Sequence, residues 1–307
     1  MKMRNLLLVL ILCVSTSAIT WSEPEKLPYR GWPVIVDNQG VLWCLSYIDG
    51  LYRYIDETSG WELVLDSPPF GGELCFDKSD TLWVLTANYT EVYYTRYDGK
   101  QWLGPDTVPT YEYAYFGIPH MTADSTGGVW VGWTTLERWY YHQANFNHYH
   151  NGKWEAPGLL SDTSDGSDHY LEAMATDALG RVWFVWSVPH NLLVAYWDQG
   201  SWSEPSVVID TSDTLWGKGS SACLNIAPDP EGGVWTYINY LNSDGIYILA
   251  SYWDGTRWSS PDTIGLTDPF YGESPNNLPP VGQDGCGQER QRMGCVAAVG
   301  SGEGQPR

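Results

Sequence analysis

Positive charge is scarce in this sequence: 307 residues carry 16 Lys and Arg against 37 Asp and Glu, a formal net charge of −21 at pH 7. So acidic a surface repels nucleic acid and anionic lipid, because binding to either is driven by cationic side chains. Long apolar runs are missing as well, apart from Leu6 to Val14 near the start. That run follows Lys2 and Arg4 and precedes Ser15, Thr16, Ser17 and Ala18, the charged, apolar, small-residue order of a cleavable secretory signal. Residues 1–18 are therefore assigned to a signal peptide, and a secreted chain, extracellular or periplasmic, is expected. Nothing later in the sequence resembles a membrane span. Cys13 follows Leu12, where a lipoprotein signal wants a small residue, so it is taken as one more hydrophobic signal residue. Cleavage after Ala18 leaves 14 cations and 37 acids.

Cysteine is sparse and irregular. The mature chain keeps Cys44, Cys75, Cys223, Cys286 and Cys295, an odd number that cannot pair completely. Cys44 and Cys75 fall on strands of neighbouring units and are expected as buried free thiols rather than a disulfide. No CxxC spacing occurs, and His142, His148 and His150 span a loop and a strand, where polar surface is the simpler role. No metal and no cofactor are expected. GxSxG, HExxH and phosphate-loop patterns are all absent.

What is abundant is aromatic residues and tight-turn residues, and they recur. The stretch from His120 to Pro157 shows one unit in full: a strand, a DxxG turn, a second strand, a loop, a third strand, an Asn151-Gly152 turn and a fourth strand opening at Trp154. Two anchors repeat it. DxxGxxW runs from Asp37 to Trp43, Asp77 to Trp83 (with Asp80 in place of Gly), Asp124 to Trp130, Asp177 to Trp183 and Asp229 to Trp235. A Trp with Pro three residues on occurs at Trp21, Trp102, Trp154, Trp202 and Trp258, and Trp61 is a copy without the Pro. Successive anchors lie 40 to 56 residues apart and the two series interleave, which is the spacing of four-stranded propeller blades.

Each anchor has a physical reason. The Asp carboxylate can accept bonds from N–H groups of its own turn, and Gly takes the positive φ that closes it. The Trp opens the next strand, where its ring can fill the space between blades. Asp98-Gly99, Asn151-Gly152 and Asp254-Gly255 are strong hairpin signals before the fourth strands.

Residues 33–66, 70–109, 117–161, 170–210 and 221–265 are thus five complete units, and 21–28 an isolated fourth strand. The fold expected is all-β, a β-propeller of five complete four-stranded blades plus a partial sixth, spanning 19–280. A lone fourth strand at one end is completed by strands from the other in a ring that hides its sheet edges. The other end does not supply them: no aromatic follows Tyr271, and Arg290 stands where the Trp of the motif would fall. Residues 281–307 have left the repeat, through a frameshift or a truncated reading frame, and are expected to be disordered.

The short turns all lie on one face of such a propeller and the long loops on the other, where binding residues are usually carried. The long-loop face holds Tyr115, Trp139, Tyr140, Tyr141, Tyr170 and Trp216 among many acids, including Asp168. Flat rings beside carboxylates suit a sugar, whose C–H faces stack and whose hydroxyls need acceptors. First strands line the channel and present Glu73, His120 and Asn225 four residues before the turn Asp, with Glu172 one position off. A carboxylate pair across a pocket can serve as acid and base in glycoside hydrolysis, which makes Glu73, His120 and Glu172 the catalytic candidates.

Two propeller families share these patterns. The stretch Asp37 to Trp61 resembles the repeats of two-component-regulator sensor propellers, and RYDGKQW, YWDQGSW and YWDGTRW are similar to relaxed Asp-box turns of sialidase-like propellers. These turns lack the Ser or Thr two residues before Asp and the single residue between Asp and Gly, and no arginine triad is assignable. The reading is a secreted, non-enzymatic binding module for a carbohydrate or an extracellular protein, with a sialidase-like glycoside hydrolase as the alternative. A sensor domain is disfavoured, since no membrane span follows the signal.

Overall fold

The computed structural model describes residues 31–46, 50–56, 58–66, 72–88, 90–110, 119–137, 141–161, 164, 166–189, 191–210, 224–242 and 245–267. Blade 1 is β1 (Gly31–Val36), β2 (Leu42–Ser46), β3 (Gly50–Asp56) and β4 (Gly60–Asp66). Blade 2 is β5 (Gly72–Phe76), β6 (Leu82–Ala87), β7 (Val92–Tyr97) and β8 (Trp102–Thr107). Blade 3 is β9 (His120–Ala123), β10 (Val129–Glu137) and β11 (Tyr141–His150), with an outer strand in two pieces, β12 (Lys153–Trp154) and β13 (Gly158–Leu159). Blade 4 repeats this with β14 (Tyr170–Thr176), β15 (Val182–Val188), β16 (Asn191–Asp198), β17 (Ser201–Trp202) and β18 (Ser206–Asp210). Blade 5 is β19 (Leu224–Pro228), β20 (Val234–Asn242), β21 (Gly245–Trp253) and β22 (Asp262–Thr267).

All pairings are antiparallel, and the first strands β1, β5, β9, β14 and β19 are neighbours in chain order. This is an all-β propeller of five four-stranded blades, each within a few residues of the unit read from the repeat. The signal segment 1–18, the isolated strand 21–28 and the tail 281–307 lie outside the described residues.

The DxxGxxW motif is a small hydrogen-bonded device. In every blade Oδ1 of the Asp accepts from the backbone N–H two and four residues on, as Asp37 does from Gln39 at 2.9 Å and Val41 at 2.8 Å. Gly40, Gly127, Gly180 and Gly232 have φ of 82°, 94°, 83° and 90°. Asp80 takes their place at φ 61°, a left-handed conformation that Asp tolerates better than most residues. In blades 1 to 4, Oδ2 accepts the indole Nε1–H of the motif's Trp at 2.8–3.0 Å. The spacing of six residues therefore pairs the two ends of the motif across the start of the hairpin.

The Trp-x-x-Pro motif marks the outer strand. Proline has no N–H to give to a ladder, so it is confined to edges and breaks. Pro157 and Pro205 fall between the two pieces of the outer strands of blades 3 and 4, and Pro261 falls between the Trp253–Trp258 bridge and β22. In blade 2 Pro105 lies within β8, at a register shift against β7 between Tyr94 and Arg96, and in blade 1, where Trp61 has no following Pro, β4 is likewise a single strand.

The two motifs meet between blades. Trp83 of blade 2 lies 4.9 Å from Tyr149 and 6.5 Å from Trp154 of blade 3. Trp130 lies 5.5 Å from Trp197 and 6.2 Å from Trp202 of blade 4, and Trp183 lies 5.8 Å from Trp253 and 6.0 Å from Trp258 of blade 5. Trp43 packs in one cluster with Phe76, Tyr97 and Trp102 of blade 2. The turn Trp of each of blades 1 to 4 is thus covered by the aromatic pair at the third-to-fourth turn of the next blade, and these layers are the core.

Several turn carboxylates are held below their ordinary range by bonds to the ionised form. For Asp124, burial works in the opposite direction and is outweighed by bonds from His148, Thr126, Gly128 and Trp130. Bonds from Thr256 and Arg257 lower Asp254 to about 2, those from Gln101 and Lys100 lower Asp98, and Tyr252 with the Glu231 and Gly233 amides lowers Asp229. A depressed carboxyl stabilises the fold fully above the unfolded value of about 4 and ceases to do so as pH falls through the folded value. The urea midpoint is expected to hold down to about pH 4.5, as protonation of other acids relieves repulsion, and then to fall steeply toward pH 2. An unchanged midpoint at pH 2.5 would contradict this role for the turns.

Candidate functional site

In a blade of this order the DxxG turns and the third-to-fourth turns share one face, and the first strands begin at the other. Glu73, His120 and Glu172 all stand near the opening ends of first strands. The structure brings two of them together. His120 Nδ1 is 2.8 Å from Glu73 Oε1, and the Met121 amide donates to Glu73 Oε2 at 3.2 Å. The carboxylate orients the imidazole across the junction of blades 2 and 3.

Glu172 sits elsewhere. Leu171 pairs with Trp186 and Ala173 with Val185, so Glu172 is an extra residue in a β-bulge of β14. This accounts for its displacement by one position in the sequence, because a bulge re-aims a side chain that a regular strand would send to the other face. Ser187 Oγ donates to Glu172 Oε1 at 2.7 Å, and the residue is 5% exposed. Ser187 had no signal in the sequence that would have singled it out.

Blade 3 projects furthest toward the long-loop face among the described hairpins of blades 1 to 4, through the extended β10–β11 pairing that ends at Glu137 opposite Tyr141. Against it lies the segment entering blade 4. The His142 amide donates to Asp168 Oδ1 at 2.9 Å, and His142 Nδ1 is 3.0 Å from the same oxygen. The His169 amide donates to the His142 carbonyl at 2.9 Å, and the His142 ring lies over Tyr170 at 4.3 Å between centroids. Ser167 Oγ is 3.0 Å from His169 Nε2. Tyr141, 39% exposed, stands beside this group, with the Gly166 backbone passing its hydroxyl. At Gly166, φ is +73°.

Of the expected ligand-binding residues, Tyr170 packs on His142 at the junction of blades 3 and 4, where His142 also holds Asp168, and Tyr141 borders the same entering segment at Gly166. Tyr115, Trp139, Tyr140 and Trp216 lie outside the described residues. The second-to-third loop of blade 2 is self-contained: Asn88 Oδ1 caps the Thr90 and Glu91 amides, and Tyr93 bonds Glu91 and Asn88.

His148 and His150 belong to the scaffold. His148 stacks on Trp130 at 4.0 Å and 14°, with Nε2 3.0 Å from Asp124 Oδ2, and His150 stacks on His148 at 5.3 Å. Any side chain on Gly128 would strike His148 Nε2. Among the described residues no three His, Cys, Asp or Glu side chains converge as for a metal ion. Cys44 and Cys75 are free thiols, and burial raises Cys44 to about 12. Among the described residues no helix is long and apolar enough to cross a membrane.

No family model and no curated protein matches the sequence. Solved structures share the fold. A polysaccharide lyase, an ulvan lyase bound to -[GlcA(1-4)Rha3S]-, superposes with a TM-score of 0.51 at 12% identity, covering 81% of this chain and 73% of its own. A lectin of Aleuria aurantia in complex with Fucα1-6GlcNAc gives 0.50 at 14% identity, covering 78% and 79%. The NanB sialidase of Streptococcus pneumoniae gives 0.42 at 16% identity, covering 66% of this chain and 33% of its own, too loose to carry an argument.

Proposed function

We propose that this chain is a secreted, non-enzymatic propeller that binds carbohydrate at the junction of blades 3 and 4. The observation that carries the reading is the group Tyr141, His142, Asp168 and Tyr170. Tyr141 offers an exposed ring bordering the Gly166 turn, and two residues further on Asp168 offers a carboxylate that is 44% exposed and uses Oδ1 for both of its bonds to His142. Oδ2 then faces a sugar hydroxyl, and the ring faces its C–H surface. That a lectin and a polysaccharide lyase share the fold supports the reading without naming the sugar. A net charge of −21 favours a neutral glycan over a uronate or sulfated one.

Titration with neutral and anionic oligosaccharides, followed by tryptophan fluorescence, tests this. Saturable quenching by a neutral sugar is expected, with Tyr141→Ala and Asp168→Asn each weakening affinity about tenfold or more, on the order of 1.4 kcal/mol. Equal affinity in both variants removes this face, and a panel with no binding sugar turns the reading toward an extracellular protein partner.

The glycoside hydrolase alternative needs two carboxylates facing one bond. Glu73 is engaged by His120 and Met121, while Glu172 is buried on Ser187, and this arrangement favours binding over turnover. Release of reducing sugar that is abolished in Glu73→Gln or Glu172→Gln would reverse that preference.

A further inference from the structure

Among the described residues one interblade cover is missing. The turn tryptophans Trp43, Trp83, Trp130 and Trp183 are exposed by 5%, 1%, 2% and 1%, because the next blade lays its aromatic pair over each. Trp235, the same residue of blade 5, is 44% exposed. Its indole does not bond the turn Asp; Tyr252 takes that place, its hydroxyl donating to Asp229 Oδ2 at 2.8 Å, and Trp235 lies on the Tyr252 ring at 4.6 Å. Ala227, opposite Trp235 in the ladder, is exposed too. The other side of the blade is not open, since Ile226, Val234, Leu249 and Trp253 pack against blade 4. Among the described residues, blade 5 therefore has one finished apolar face and one without a partner.

The sequence holds one cover without an anchor. Trp102, Trp154, Trp202 and Trp258 serve blades 1 to 4 in turn, and Trp61 belongs to blade 1 itself. Trp21 remains. It stands 16 residues before Asp37, as Trp61 stands 16 before Asp77, so the segment 21–28 is to blade 1 what β4 is to blade 2. By that spacing it reads as an outer strand placed before blade 1, a position that in a ring comes next after blade 5. We propose that residues 21–28 dock on the outer face of blade 5 and lay Trp21 over Trp235, closing the propeller with the start of the mature chain.

The test is a double-mutant cycle on the mature chain, residues 19–307. Trp21→Ala and Trp235→Ala are each expected to lower the thermal midpoint by several degrees, and the double variant to fall no further than either. Oxidative footprinting is expected to find Trp235 protected in the parent and modified several times faster in Trp21→Ala, which also answers for a variant too unstable to melt cleanly. Coupling of Trp235 to Trp61 instead of Trp21 overturns the proposal in favour of a five-bladed closure. Protection of Trp235 that disappears on dilution, with dimer giving way to monomer in light scattering, overturns it in favour of a second copy. A Trp235 oxidised equally fast in parent and Trp21→Ala overturns it outright.

Discussion

Asp177→Ala is expected to lower the unfolding free energy by about 3–5 kcal/mol, the cost of breaking a buried charge pair by removing one partner. Asp177 is the most enclosed of the turn carboxylates with a charged partner. Its side chain is 0% exposed, its Oδ2 is 2.6 Å from Arg181 Nε, and the Trp183 indole donates to the same oxygen at 2.8 Å. Its Oδ1 accepts the Leu179 and Arg181 amides. Alanine would leave the Arg181 guanidinium buried over the rings of Trp183 and Tyr196 with no anion beside it. The damage would also cross the blade boundary, since Arg181 Nη2 donates to the Gly232 carbonyl of the next turn at 3.1 Å. For a folded unit of this size the midpoint should fall by about 10 °C. Asp177→Asn retains the shape and should lose less. A melt within about 2 °C of the parent for the alanine variant would show that the turn is held by its backbone alone.

Trp130→Ala is the second large effect, also about 3–5 kcal/mol, from a cavity at the junction of blades 3 and 4. The ring is 2% exposed and touches Phe146, Phe184, Trp197 and Trp202, with His148 stacked on its face. Alanine removes those contacts and the Nε1–H that bonds Asp124 at 3.0 Å. Trp130→Phe keeps most of the volume and loses only the bond, so it should cost about 1–2 kcal/mol. Urea unfolding of the three proteins separates the two contributions. If phenylalanine and alanine cost the same, the indole hydrogen bond and not the packing holds this junction.

These effects also bear on the candidate site. Leu171, in the Trp130 cluster, lies on β14 between Tyr170 and Glu172, Phe184 of the same cluster lies on the paired β15, and the Leu171 amide donates to Thr134 Oγ1 of blade 3 at 2.9 Å. Gly132 permits this approach, because a side chain there would strike Leu171 and Met174. A variant that loosens this junction should weaken sugar binding along with stability, so binding measurements belong on variants shown to be folded.

The blades were legible in the sequence because the information that makes them is local. A turn Asp, a glycine or Asp80 at positive φ, and a Trp two strand positions later all lie within seven residues, and the same set returns at every blade. Asn151-Gly152 adopts the φ pair of 51° and 79° that its chemistry dictates. The Pro of the second motif was visible as a repeat, but its role was not, because only the ladder shows where a missing N–H interrupts the pairing.

The candidate site was legible as residue types on one face and not as partners. His142 and Asp168 are 26 residues apart, Glu73 and His120 are 47 apart, and nothing in either spacing says that they touch. Glu172 looked out of step because a single-residue bulge, which depends on the pairing of β14 with β15, decides which way it points.

The sequence by itself determined the all-β propeller, its blade boundaries and its tight turns, since each follows from backbone preferences and hydrogen bonds made within a few residues. The tertiary structure alone decided which aromatic pair covers which turn Trp, and that the described residues leave Trp235 open. Those outcomes rest on side chains meeting across blades about 40 to 55 residues apart, where register and packing, rather than local propensity, select the contact.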